Sequence, residues 1–259
     1  MSASPTLRRI WFELLFAIQF LTRVPVHSPP YEADALSRAV KFFPFVGLLI
    51  GASAAFLHSL LMPHLPRLVA ALLVLAYLVY ITGCLHEDGL ADAADGFGGG
   101  WDRGQALLIM RDSRIGSYGT VALTLSLLAR LLLISSLSLV HVAQYLVAAH
   151  VLCRWTTLPL SFYLPPAHAQ SNDQIDGQGA RIAQLTTRST LILGTLFSFA
   201  VVVSVLRSRA LAPISVAIGV TLFSALYYKR RISGVTGDCF GATNQLTEIA
   251  VYLCGVWTV

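Results

Sequence analysis

Leu68–Leu85, LVAALLVLAYLVYITGCL, runs directly into His86–Gly100, HEDGLADAADGFGGG. The first part is uncharged and close to the roughly 20 apolar residues that cross ~30 Å of hydrocarbon. The second gathers Glu87, Asp88, Asp92 and Asp95 ahead of a glycine run, in a chain with only 13 acidic residues among 259. If this stretch is helical, Asp88, Asp92 and Asp95 stand at i, i+4 and i+7 and share one face. Carboxylates held on one face repel. The arrangement is stable mainly when a divalent cation or a bound cationic group sits among them, the other reading being a solvated helix end. Mg²⁺ is the hard cation that takes one or two carboxylates together with substrate phosphates.

Working outward, the composition agrees with the apolar run. Hydrophobic residues make up 56% of the chain, charged residues 12%, and the mean hydropathy is +0.69. A soluble domain carries roughly 25% charged residues, so lipid is the solvent for most of this chain. No polar segment is long enough for a separate soluble domain. The expected fold is all-α: a polytopic helical integral membrane protein of seven or eight membrane segments, with residues 1–259 as one domain.

Apolar runs of spanning length cover Val40–Met62, Leu68–Leu85, Tyr118–Val140, Val142–Leu164, Ser189–Leu206, Ala210–Tyr228 and Thr243–Val259. Ile10–Val26 is interrupted by Glu13, Gln19, Thr22 and Arg23; it crosses, lies along the interface or re-enters. Arg8 and Arg9 precede it as in a signal peptide, but no small-residue cleavage site follows, and the segment is read as retained. Threading the spans from Val40 puts the loops 86–117, 165–188 and 229–242 on one side. With Arg38 and Lys41, that side holds Arg103, Arg111, Arg114, Arg181, Arg188, Lys229, Arg230 and Arg231, against Arg67, Arg207 and Arg209 opposite. The positive-inside rule then places the acidic segment in the cytoplasm, which for a bacterial chain means the face of the inner membrane. The net charge of +5 is thus a topology signal, and no basic stripe with interleaved aromatics points to nucleic acid.

The chemistry-bearing segments all fall on that side: the acidic stretch, Met110–Gly119 (MRDSRIGSYG) and Ser233–Ala242 (SGVTGDCFGA). Such one-sidedness suits an enzyme with a cytoplasmic substrate. Phosphoryl transfer needs a divalent metal, cations to hold developing charge, and backbone N–H groups free to approach phosphate. Asp88, Asp92 and Asp95 are the metal candidates, with Asp112 and Asp238 as further ones. Arg111 and Arg114 are candidate anion holders, although Asp112 can equally pair with one of them. Gly96, Gly98 and Gly99 could wrap a pyrophosphate, or simply form a turn. Lys229, Arg230 and Arg231 read as orientation signals at a span end. Arg130 and Arg154 lie within apolar runs, where charge is costly and is usually functional or paired. Cys84, Cys153, Cys239 and Cys254 show neither zinc nor disulfide spacing and read as packing residues. Pro165–Gln184 reads as a polar loop able to cover a site, and no internal repeat suggests a transporter of inverted halves.

Taken together in order, Phe20–Val26 (FLTRVPV), Phe43–Gly51 (FPFVGLLIG), HEDGLADAADGFGGG, MRDSRIGSYG and TGDCFGA resemble the cobalamin synthase family, the adenosylcobinamide-GDP ribazoletransferases. The resemblance spans nearly the whole chain. It implies an Mg²⁺-dependent membrane enzyme that joins α-ribazole, or its 5′-phosphate, to adenosylcobinamide-GDP with release of GMP. By position, Asp88, Asp92 and Asp95 match the acidic motif, Asp112, Arg114 and Gly116 the second, and Asp238 and Gly241 the third. One departure is Gln245, where many relatives carry a carboxylate; Glu248 keeps the later one. In the reaction so implied, Asp95 or Asp112 takes the hydroxyl proton. Expected partners are the two small-molecule substrates and membrane lipids, with a homo-oligomer also open. The alternatives weighed are a CDP-alcohol-type phosphotransferase acting on a lipid donor, whose motif has an Ala-Arg pair where this chain has Ala93-Ala94, and a cation transporter, which calls for acids near the bilayer midplane.

Overall fold

The computed structural model describes residues 5–26, 38–167 and 186–257, and its regular elements there are helical. In chain order they are α1 (Pro5–Leu21), a 3-10 turn (Val40–Phe42) leading into α2 (Phe43–Leu61), α3 (Arg67–Thr82), α4 (Leu85–Gly99), α5 (Arg103–Met110), α6 (Ser117–Ser136), α7 (Val142–Trp155), α8 (Thr157–Tyr163), α9 (Arg188–Leu206), α10 (Leu211–Ile232) and α11 (Gly237–Trp257). An isolated bridge pairs Pro166 with Val235 and ties the chain after α8 to the entry of α11. The predicted loop 165–188 lies, over 168–185, outside the described residues, as does Arg181.

Among the described residues, four helical segments are long and apolar enough to cross a membrane: Val40–Leu61, Ser117–Ser136, Arg188–Arg209 and Leu211–Ile232. A fifth is counted if α3 and α4, bent by 85°, are one broken span. The expected seven or eight crossings are therefore not confirmed. The shortfall has local causes. The run Val142–Leu164 breaks at Thr156 into α7 and α8, α1 has 17 residues, and α11 carries Asp238, Asn244, Gln245, Thr247 and Glu248 on its length.

The bend between α3 and α4 follows from two residues. Gly83 has φ +64° and Cys84 φ +60°. The Cys84 N–H donates to the Val79 carbonyl and the Gly83 N–H to the Tyr80 carbonyl, which is a Schellman closure of α3. Glycine takes the left-handed conformation without a Cβ penalty; a second left-handed residue after it swings the chain off the axis of the span. The acidic stretch therefore begins a new helix, with Glu87 and Asp88 in its first turn, where the helix dipole favours negative charge.

At the centre lies α7, with 11 of its 14 residues buried, as expected of a helix that is apolar all round. It packs most extensively on α2. Gly47 and Gly51, one turn apart, make that approach possible: a Cβ at Gly51 would sit 2.7 Å from the Leu146 carbonyl oxygen, and one at Gly47 would run into the His150 carbonyl. This is the small-residue seam that lets membrane helices pack at close range. α11 lies against both α7 and α4, and α4 packs also on α5 and α6. The acid-bearing helix is thus held on three sides.

Candidate active site

α4 meets α11 through two glycines. A Cβ on Gly89 would lie 3.1 Å from the Asp238 Cα, and one on Gly241 would lie 3.1 Å from the Gly89 Cα. With no side chains between them the backbones touch, and Asp88 is carried beside Asp238. Gly241, expected as a substrate contact, is a packing residue of this crossing. Both aspartates line a cavity of about 160 Å³, whose wall also includes Phe43, Arg154, Phe240 and Asn244.

The carboxylates feel one another. Burial, and then the charges of Asp88, Asp238 and Asp95, push the Asp92 carboxyl up to about 7. Asp238 is raised to about 6, chiefly by burial, with the Thr236 hydroxyl opposing the shift and Asp88 adding to it. Mutual repulsion of this kind is the condition a divalent cation relieves. Asp88 is exposed and Asp92 half-buried on the same face of α4, so an ion held there would keep open positions for water and phosphate oxygens.

The third member of the expected set does something else. Asp95 is buried, with Oδ2 accepting from the Gly116 N–H at 2.7 Å and Oδ1 from the Gly119 N–H at 2.8 Å. α6 begins at a glycine that has no side chain to cap it, and Asp95 supplies the cap from another helix. Gly116 belongs to the same joint: a Cβ there would lie 2.5 Å from Asp95 Oδ1, and one at Gly119 would collide with Oδ2 and come 2.8 Å from the Ala91 carbonyl. Shared helical spacing did not make Asp95 a partner of the other two, because its oxygens are engaged by backbone donors. Asp95→Ala and Gly119→Ala are each expected to cost about 0.5–2 kcal/mol of stability, read as a lower melting temperature in detergent, with Mg²⁺ affinity of the folded fraction unchanged.

Other expectations are also redirected. Gly96, Gly98 and Gly99 lie within α4 and do not form a phosphate-wrapping loop. Their open faces are filled: Gly96 by Met110 and the Ala106 carbonyl, Gly98 by the Tyr118 ring, where a Cβ would lie 2.5 Å from Cγ, and Gly99 by Ile109. Asp112 and Arg114 clamp each other at the surface, with Nη2 to Oδ2 at 2.6 Å. The guanidinium holds the Asp112 carboxyl down at about 2, which makes it a weak base. Arg111 is exposed in the same turn, and neither it nor Arg114 lines the cavity. Arg231 caps the end of α4, donating to the Phe97 and Gly100 carbonyls at 2.9 and 2.8 Å.

Behind the cavity runs a buried polar layer. Arg130 of α6, 1% exposed, lies 2.9 Å from Glu87 of α4 and 3.7 Å from Glu248 of α11. Gln245 donates from Nε2 to Glu87 at 3.2 Å and accepts from the Ser126 hydroxyl at 3.2 Å. Gln245 and Glu248 thus face this layer, apart from the acids at the cavity. Among the described residues, His150, Cys153 and Glu248 are the group whose ligand atoms lie within 4.8 Å of one another. Arg154 Nη1 stands 3.0 Å from His150 Nδ1 and 3.3 Å from Cys153 Sγ, so a guanidinium already engages two of the three.

Of the expected acids, Asp88, Asp92 and Asp238 lie near one another and Asp95 and Asp112 are engaged elsewhere, while Gly89 and Asn244 of the same neighbourhood were not expected there. Arg154 was legible as a costly charge in an apolar run, and as the more suspicious of the two buried arginines because Trp155, Thr156 and Thr157 continue a polar patch beside it.

The family described as Cobalamin-5-phosphate synthase matches residues 13–256. An Adenosylcobinamide-GDP ribazoletransferase of Azorhizobium caulinodans is 41% identical over 96% of both chains. Proteins of the same name from a Polaromonas species and from Ralstonia nicotianae are 37% and 35% identical, covering 93% and 97% of this chain and 95% and 98% of their own length. No solved structure matches. A match of that extent, with Asp88 and Asp238 of the two acidic segments meeting at one cavity, places the chain in the cobalamin-5-phosphate synthase family.

Proposed function

We propose that this chain is an adenosylcobinamide-GDP ribazoletransferase of the bacterial inner membrane, joining α-ribazole or its 5′-phosphate to adenosylcobinamide-GDP and releasing GMP at the cytoplasmic face. The observation that carries the reading is the meeting of Asp88 and Asp238 at one cavity, with Asp92 half-buried beside them and within reach of their charges, in a chain whose relatives bear that name along nearly its whole length. Asp88 and Asp92 would hold Mg²⁺. When bound, the ion would neutralise charge on the diphosphate oxygens.

The chain's own residues account for the remainder. An acceptor oxygen attacks the phosphorus attached to cobinamide, and the bond from that phosphorus to the oxygen bridging to GMP breaks. Where the acceptor is a hydroxyl, its proton needs a carboxylate. Asp95 and Asp112 have their oxygens engaged, whereas Asp238 lines the cavity and is the carboxylate placed to accept it. Aromatic walls at Phe43 and Phe240 exclude water from the reacting groups. A lipid-donor phosphotransferase is disfavoured by Ala93-Ala94, and an ion path by acids gathered at one end of a bent helix.

The test is direct. Full-length protein in membranes, given adenosylcobinamide-GDP and α-ribazole, is expected to yield the joined corrinoid and GMP by mass spectrometry with Mg²⁺ present and neither after chelation. Production of neither with Mg²⁺ present, or undiminished production after chelation, would overturn the reading or its metal respectively.

A further inference from the structure

Two arginines lie inside the helix bundle, and they differ in what surrounds them. Arg130 sits between two carboxylates, as a buried cation ordinarily must. Arg154, 2% exposed, has no carboxylate within ion-pair distance among the described residues. Its Nη1 reaches only neutral groups of its own helix, the His150 ring and carbonyl and the Cys153 sulfur. Its Nε–H is buried and without a partner.

A guanidinium out of water with no counter-charge is costly to keep, and an anion that arrives with the ligand repays it. Arg154 lines the cavity that Asp88 and Asp238 also line. Gly47 makes the room: a Cβ there would lie 3.0 Å from Arg154 Cδ. One side of the cavity thus offers carboxylates for a cation and the other a bare cation.

We infer that Arg154 is the phosphoryl-binding residue of this site, offering its guanidinium N–H groups to a phosphate oxygen of the substrate in the place the sequence had given to Arg111 and Arg114. The inference deepens the transferase reading and rests on it for the identity of the ligand. The phosphoryl group has two sources, the diphosphate of adenosylcobinamide-GDP and the 5′-phosphate of α-ribazole 5′-phosphate. Both offer the same oxygens, and the experiment separates them.

Full-length protein in detergent is titrated with inorganic pyrophosphate in the presence of Mg²⁺ and followed by thermal shift. Pyrophosphate is expected to raise the melting temperature of the wild type, and Arg154→Met to need about 100-fold more probe for the same rise. Without probe, Arg154→Met is expected to melt no lower than the wild type, because an uncompensated buried charge has been removed. A merely structural arginine would show the opposite. In turnover assays, a fall in kcat/KM with both α-ribazole and its 5′-phosphate assigns Arg154 to the diphosphate of the donor. A fall confined to α-ribazole 5′-phosphate assigns it to the acceptor. Unchanged pyrophosphate affinity in Arg154→Met, or no stabilisation of the wild type by pyrophosphate, overturns the inference. Should Arg154→Met not be recovered folded, Arg154→Lys decides: it keeps a charge but loses the planar fork of donors, and undiminished affinity overturns the assignment. The titration needs no turnover, so a protein that binds pyrophosphate through Arg154 yet makes no corrinoid sinks the transferase reading and supports this one.

Discussion

Membranes carrying Asp88→Asn or Asp92→Asn are expected to lose the joined corrinoid almost entirely, with kcat/KM down by about 100-fold or more, while the protein stays inserted and folded. The two residues stand one helical turn apart on the open side of α4, and neither supports a neighbouring helix as Asp95 does. Asparagine keeps the shape of aspartate but removes the charge that holds a hard cation. Removing either carboxylate also relieves the repulsion that now acts on Asp92, so metal-free protein is expected to melt no lower than the wild type. Loss of turnover without loss of stability separates these residues from the structural acids of the same helix. Unchanged turnover in both variants would remove the metal role from α4, and a large fall in melting temperature would make them structural.

A second large effect is expected at Arg130. Its guanidinium joins Glu87 of α4 to Glu248 of α11, with Gln245 closing the layer. Arg130→Met leaves two buried carboxylates facing each other without a counter-charge, and breaking a buried pair from one side costs about 3–5 kcal/mol. The melting temperature should fall sharply, and expression with it. The double variant Arg130→Met with Glu248→Gln should recover part of the loss, since one of the stranded charges is gone. The layer lies directly behind the turn that carries Asp88, so whatever loosens it also moves the acid-bearing face of α4. If the single variant melts with the wild type, the ion pairs do not hold the three helices together.

The contrast between Arg130 and Arg154 shows how one kind of sequence signal divides in space. Both are arginines in apolar runs, and the sequence states only that each must be paired or functional. Pairing depends on which helices lie opposite. Arg130 meets acids from two other helices, and Arg154 meets a cavity. Likewise Asp88, Asp92 and Asp95 have equal standing in a helical projection, yet Asp88 lines the cavity, Asp92 lies half-buried beside it and Asp95 caps α6. The glycines of Gly96–Gly100 have the composition of a phosphate loop, but the flanking helix continues through them and their missing side chains admit Met110, Tyr118 and Ile109.

What the sequence alone determined is the all-helical, lipid-embedded class and the family, because hydropathy and ordered motifs are written along the chain and need no partner to be read. The tertiary structure decided which of the acids share a cavity, which cap or brace a neighbour, and that a buried arginine from the central helix faces the same cavity. It also decided the number of long apolar helices, since the polar residues of α11 and the breaks at Cys84 and Thr156 are accommodated only by helices packed around them. The physical reason is the same in each case: charge and glycine take their meaning from what lies across from them, and that distance is not local in sequence.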